Sequence, residues 1–314
     1  MLLRSQTSEL SEYTKIYDAS SGMDVDCSIT SANSGGNCSI TFNFTESVTG
    51  PLYLYYEIKE FYQNHRRYVR SRSSDQLTGS DLSYDDVESD CYPLTEYNSS
   101  LLNPCGLIAN SFFTDIIELS SSNNDAELDT DGITWNLDSN KFSQVDGFVY
   151  STAASPTLSC EDVLGDDYSD CSVYDDAGTF YYYWYPNDDS VQYLYETFPA
   201  IVNPIEGVTN EHFIVWMRTA GLPNFRKYYG KIDTDIAAGD SMTFSITTNF
   251  EVQSYGGSKA LVLTNLANFG AKNYALGNSY IVIGAYALAL GLLFMFKRVY
   301  APRKLGDIKA LKWD

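Results

Sequence analysis

Residues 52–59 (LYLYYEIK) alternate, with Leu52, Leu54, Tyr56 and Ile58 on one side and Tyr53, Tyr55, Glu57 and Lys59 on the other. A period of two sends successive side chains to opposite faces of a strand, so this segment reads as a half-buried β-strand. Residues 241–255 (SMTFSITTNFEVQSY) and 258–266 (SKALVLTNL) repeat the pattern, and Gly256-Gly257 between them predicts a hairpin. Acidic, turn-rich stretches at residues 120–131 and 160–178 predict exposed loops, the first leading into a strand at Ile133 and Trp135. The chain shows no internal repeat and no clean linker. The expected fold is mainly β: one antiparallel, β-sandwich-like domain with short helices and long loops over residues 1–278.

A different pattern closes the chain. Residues 280–296 (YIVIGAYALALGLLFMF) are 17 uncharged residues, apolar on every face, followed by Lys297 and Arg298. A span needs roughly 17–25 such residues, so a transmembrane helix is expected over residues 279–296 and a basic tail over 297–314. The tail holds six Lys or Arg against two Asp. Before it, fourteen bases stand against thirty-nine acids, a net charge of −25. Basic flanks stay in the cytoplasm, which predicts that the acidic bulk lies across the membrane, luminal or extracellular. Such an acidic domain is a poor partner for nucleic acid.

Six cysteines fit that placement: Cys27, Cys38, Cys91, Cys105, Cys160 and Cys171. In an extracytoplasmic domain they read as three disulfides, and nearest-neighbour pairing is the simplest of the fifteen connectivities. Closing such loops would stabilise each by about 3 kcal/mol in the chain-entropy model. Zinc spacing is absent, and the two histidines, His65 and His212, lie far from the cysteines in sequence. Sequons at Asn98, Asn43 and Asn37 fall in the same region; a bridged Cys38 would crowd Asn37. The first ten residues (MLLRSQTSEL) contain no apolar signal-peptide core, which predicts a first transmembrane helix upstream of Met1.

Catalytic chemistry finds little support. His65 lies among arginines (NHRRYVRSR), and no G-x-S-x-G elbow occurs. The run from Glu127 to Asp138 half-matches a calcium loop, but Glu opens it and Asp closes it. An acidic turn explains it better. The aromatic run Tyr181 to Tyr185 suits packing in a strand, though such rings also stack on sugars. No cofactor and no metal are expected. The bases are more telling: eight of the fourteen before the tail fall in two segments, Arg66, Arg67, Arg70, Arg72 and Arg218, Arg226, Lys227, Lys231. Such clusters either pair internally or present a docking patch to a partner or to lipid headgroups. In the span, Ala285 with Ala289 and Ala287 with Gly291 would let another helix approach closely.

Four blocks resemble one family. Residues 61–79 (FYQNHRRYVRSRSSDQLTG), 103–115 (NPCGLIANSFFTD) and 210–232 (NEHFIVWMRTAGLPNFRKYYGKI) are similar to signatures of the cell cycle control protein 50 (ligand-effect modulator 3) family. Residues 258–277 (SKALVLTNLANFGAKNYALG) lead into the terminal helix as in family members. Arg70 replaces a familiar Lys, Thr114 an Asn and His212 an Asp. The resemblance implies a non-catalytic β-subunit, not itself an enzyme, that forms a heterodimer with a type IV P-type ATPase moving phospholipids. It implies a glycosylated exoplasmic domain between two membrane helices, in the endoplasmic reticulum, Golgi or endosome, or plasma membrane. Assembly would permit exit from the endoplasmic reticulum. The resemblance supports pairing Cys27 with Cys38 and Cys91 with Cys105 more strongly than Cys160 with Cys171. It also makes Asn64, His65, Arg66, Arg67, Arg70, Asn110, Arg218, Pro223 and Arg226 candidates for the partner interface. An adhesion or lectin-like receptor with a single span is the competing reading, and a tethered hydrolase a weaker third.

Overall fold

A computed structural model describes residues 11–29, 36–122, 126–265 and 274–301. Most of the basic tail and the first ten residues lie outside the described residues. Two units are distinct: residues 12–265 form one, and the helix Tyr274–Tyr300 belongs to the other.

Thirteen strands lie among the described residues. In chain order they are β1 (Glu12–Asp18), β2 (Gly36–Asn43), β3 (Leu52–Lys59), β4 (Glu96–Tyr97), β5 (Ser100–Asn103) and β6 (Ile116–Ser122). There follow β7 (Val149–Ala153), β8 (Ser172–Asp176), β9 (Thr179–Trp184), β10 (Val191–Tyr193), β11 (Phe225–Ile232), β12 (Ser241–Thr248) and β13 (Ser258–Asn265). A four-stranded sheet runs β1-β13-β3-β11, and a three-stranded sheet runs β2-β12-β6, all antiparallel. Their inner faces share one core: Leu52, Leu54, Tyr56, Ile58 and Leu261 from the first meet Ile40, Phe42, Phe244 and Ile246 from the second. Every second residue of β3 is buried, in the phase its alternation dictates. The structure is thus mainly β, with short helices; one small sheet, β10-β5-β4, contains a parallel pair.

Three local expectations are corrected. β12 and β13 do not form a hairpin, because they lie in different sheets. The chain between them buries Phe250 and Val252 in the core, which a hairpin turn at Gly256-Gly257 could not do. Residues 160–178 are not all loop, since they supply the helix Cys160–Leu164 and strand β8; likewise β6 extends to Ser122. Ile133 and Trp135 are not a strand: Trp135 precedes a short helix, Asn136–Ser139. β8 and β9 instead join β7 in a fourth sheet, which takes in Tyr181 to Trp184 of the aromatic run.

The helix Tyr274–Tyr300 contains a 24-residue stretch, Gly277–Tyr300, long and apolar enough to cross a membrane. At 1.5 Å per residue that stretch is about 36 Å long, matching the roughly 30 Å hydrocarbon core with some tilt.

Candidate functional site

The first three of the four family-like blocks are far apart in sequence and interlocked in space. Phe61 N donates to Pro223 O (3.1 Å), Ala220 N to Gln63 Oε1 (2.8 Å) and Asn64 Nδ2 to Gly221 O (3.0 Å), tying the first block to the third. The second block seats against the first. Leu107 N donates to Ser71 Oγ (2.9 Å), and Tyr68 OH pairs with Ser111 Oγ (2.8 Å). At Gly106, φ is +99° and an added Cβ would stand 2.2 Å from Ser71 O, so only glycine allows this approach. Trp216, buried in the helix Glu211–Met217, donates from Nε1 to Ile108 O at 2.9 Å and joins the third block to the second. Around it pack Phe61, Phe225 and Phe250.

Lys227 is the cation beneath this assembly. It is buried, and its Nζ donates to Val215 O (3.1 Å) and Trp216 O (3.2 Å) in the last turn of the helix Glu211–Met217 and to Arg218 O at its C-cap. A cation at a helix C-terminus satisfies carbonyls that have no intrahelical partner. Burial, helped by the nearby Arg218, pushes the Lys227 pKa down to about 7. Arg226 is also spoken for: its guanidinium bonds Glu57 Oε2 (2.7 Å) and Glu12 Oε1 (2.9 Å). Arg218 lies 5.2 Å over the Trp135 ring and 3.6 Å from Asp138. Together with Tyr55 and Tyr228 these side chains line an open cleft of about 420 Å³. Asn110 is used within its own block, donating to Pro104 O and Gly106 O, and Pro223 is half-buried.

The arginines of the first block differ. Arg66, Arg67, Arg70 and Arg72 are exposed, as is His65, and none of the four arginines forms an ion pair among the described residues. Arg66 and Arg70 are four apart on one short helix, Arg66–Arg70, and so share its face. Exposed apolar side chains accompany them: Tyr62, Val69 and Leu222. In a domain with so many acids, four exposed cations without an ion pair among the described residues leave a positively charged surface.

A second buried cation was not anticipated. Lys259 Nζ lies 2.7 Å from Asp115 Oδ2 and 3.4 Å from Asp18 Oδ2, all three side chains fully buried. Tyr17 OH donates to Asp115 Oδ2, and the backbone N–H groups of Asn249 and Phe250 to Asp115 Oδ1. A lysine at the start of the apolar run KALVL was the available signal. Its partners were not readable, since they lie 144 and 241 residues away.

The structure joins Cys27 to Cys38, Cys91 to Cys105 and Cys160 to Cys171, with Cα–Cα distances of 5.8, 5.6 and 5.8 Å. Asn43 and Asn98 are exposed, Asn98 in the tight turn between β4 and β5 at φ 49°. Asn37 is exposed on β2, where its Oδ1 accepts from Thr247 Oγ1 at 2.6 Å. Among the described residues no group of His, Cys, Asp or Glu is arranged to hold a metal.

A sequence model of the LEM3 (ligand-effect modulator 3)/CDC50 family matches residues 3–304. The chain belongs to this family. LEM3/CDC50 relatives include ALA-interacting subunit 3 of Arabidopsis thaliana, 33% identical over 279 residues, covering 88% of this chain and 68% of that one. Cell cycle control protein 50A of Mus musculus is 33% identical over 275 residues, covering 82% and 68%. The phospholipid-transporting ATPase accessory subunit CRF1 of Saccharomyces cerevisiae is 31% identical over 281 residues, covering 88% and 63%. The plant and yeast LEM3/CDC50 relatives are named as an interacting subunit and an accessory subunit.

Proposed function

We propose that the protein is the non-catalytic accessory subunit of a phospholipid-transporting P-type ATPase of the type IV class, bound to the catalytic chain as a heterodimer. Family membership across residues 3–304 carries this reading, because relatives in plant and yeast bear the names of ATPase-interacting and ATPase accessory subunits. The catalytic chain supplies the chemistry; this chain supports its assembly, its exit from the endoplasmic reticulum and a stable transport cycle. The acidic domain lies in the lumen or outside the cell, Lys297 and Arg298 mark the cytoplasmic end of the helix, and the complex resides in endoplasmic reticulum, Golgi or endosome, or plasma membrane. Asn98 and Asn43 carry glycans. Asn37, whose side-chain oxygen is engaged with Thr247, is the poorest of the three acceptors.

The docking face is the exposed part of the interlocked blocks. Arg66, Arg67 and Arg70 meet the partner, with His65 beside them; Asn64, Asn110, Arg218, Pro223 and Arg226 hold the face in shape. Exposed, unpaired cations gain more from a partner's carboxylates than cations already neutralised at home.

The test is capture of the full chain from gently solubilised membranes, followed by mass spectrometry of what accompanies it. A P-type ATPase is the expected companion. Substituting Arg66→Ala, Arg67→Ala and Arg70→Ala together reduces its recovery and leaves folding intact. Capture free of any P-type ATPase overturns the function; unchanged recovery with the triple variant overturns only the face.

A further inference from the structure

Residues 142–217 contain thirteen Asp or Glu and no Lys or Arg. None of these acids forms an ion pair among the described residues. The segment builds the sheet β7-β9-β8, in which β8 is an outer strand paired with β9 alone. Along β8, Ser172, Val173, Asp175 and Asp176 are exposed, and its outward edge meets no other strand among the described residues. An antiparallel strand directs half of its N–H and C=O groups to each side, so this edge offers a free row of backbone donors and acceptors.

Tyrosines border the same edge. Register pairs Tyr174 with Tyr181 and Ser172 with Tyr183, which places all of these on one face of the sheet. Tyr174 and Tyr181 have ring centroids 6.3 Å apart. After desolvation, the neighbouring Asp176 and Glu206 are what raise the Tyr174 pKa, and no cation offsets them. Asp175 and Asp176 therefore act as guards as well as attractants. Charge on a free edge repels a second copy of the same acidic strand, yet it favours a strand of opposite sign.

We propose that the outer edge of β8 is a strand-addition site for an extended, Lys- or Arg-bearing segment of another protein, paired through its backbone and held by Asp175, Asp176 and the Tyr174–Tyr181 face. Backbone pairing supplies affinity; cationic side chains on one face of the added strand lie beside Asp176 and the tyrosine rings, and those on its other face lie beside Asp175. This site is separate from the arginine face and does not depend on the ATPase reading.

The probe is a labelled synthetic peptide of about eight residues, alternating Lys with Thr or Val, titrated by fluorescence anisotropy onto the purified full chain in detergent. Binding is expected near about 50 mM salt and weakens at least about tenfold near about 500 mM. Asp175→Lys with Asp176→Lys weakens it by about tenfold or more. If that variant fails to melt cooperatively, Asp175→Asn with Asp176→Asn is used and still weakens binding. The same peptide N-methylated at alternate backbone nitrogens cannot pair and loses binding. Retained binding of the N-methylated peptide, competition by tetramethylammonium as a simple cation, or equal affinity for the Asp variants each overturns strand addition.

Discussion

Two parts of one domain handle unpaired charge in opposite ways. Around residues 61–72 and 218–227, cations are sorted by partner: buried Lys227 caps helix carbonyls, exposed Arg226 pairs with Glu12 and Glu57, and exposed Arg66, Arg67 and Arg70 form no ion pair among the described residues. Residues 142–217 have no such hierarchy, because there is no cation to sort. Their acids stay near the surface, and the sheet is stabilised by aromatic contacts such as Tyr185 with Tyr193 and Tyr168 with Trp184. A buried charge must be matched at home, whereas an exposed one is free to serve a partner. That difference separates scaffold from docking surface in this molecule more sharply than residue type does.

The contrast breaks first if the buried cations prove dispensable. Lys259→Met leaves Asp18 and Asp115 buried without their cation, and urea unfolding should show a loss of roughly 3–5 kcal/mol. A loss below about 1 kcal/mol would place Lys259 with the surface charges instead.

The acidic segment also contains a histidine whose protonation is coupled to folding. Burial pushes the His212 pKa from 6.5 down to about 4, against a smaller opposing pull from Asp131. The unfolded chain therefore takes up this proton first on acidification. Stability is full above about pH 6.5 and falls toward pH 4, by roughly 3 kcal/mol at 1.36 kcal/mol per pKa unit. His212→Asn should remove that part of the slope in melts recorded across this range.

A smaller effect is expected within the sheet β7-β9-β8. Replacing Cys160 and Cys171 together with Ser opens an 11-residue loop, at a cost of about 2–3 kcal/mol in the chain-entropy model. Hydrogen exchange should quicken in β8 and β9 while β3 and β13 stay protected. Uniform quickening would mean that the lobe is no separate cooperative element.

The smallest stability change belongs to the exposed arginines. Arg66→Ala, Arg67→Ala and Arg70→Ala should each shift unfolding by no more than about 0.5 kcal/mol, since none has an internal partner to lose among the described residues. Loss of ATPase recovery without loss of stability would be the sharpest form of the contrast.

The sequence alone determined what depends on near neighbours. The alternation of β3 appears residue for residue in its burial, and the uncharged run before Lys297 lies in a helix long enough to span. Both are set by periodicity and length, which a short window contains. The tertiary structure decided where strands go and which charges are free. β12 and β13 look like a hairpin in sequence, yet Phe250 and Val252 gain more by entering the core, so the chain crosses from one sheet to the other. Lys227 and Arg66 both appear in the sequence as cations within a basic cluster. One donates to the carbonyls at the end of a helix ten residues before it and the other stands exposed, because burial and partner geometry arise only when distant segments pack.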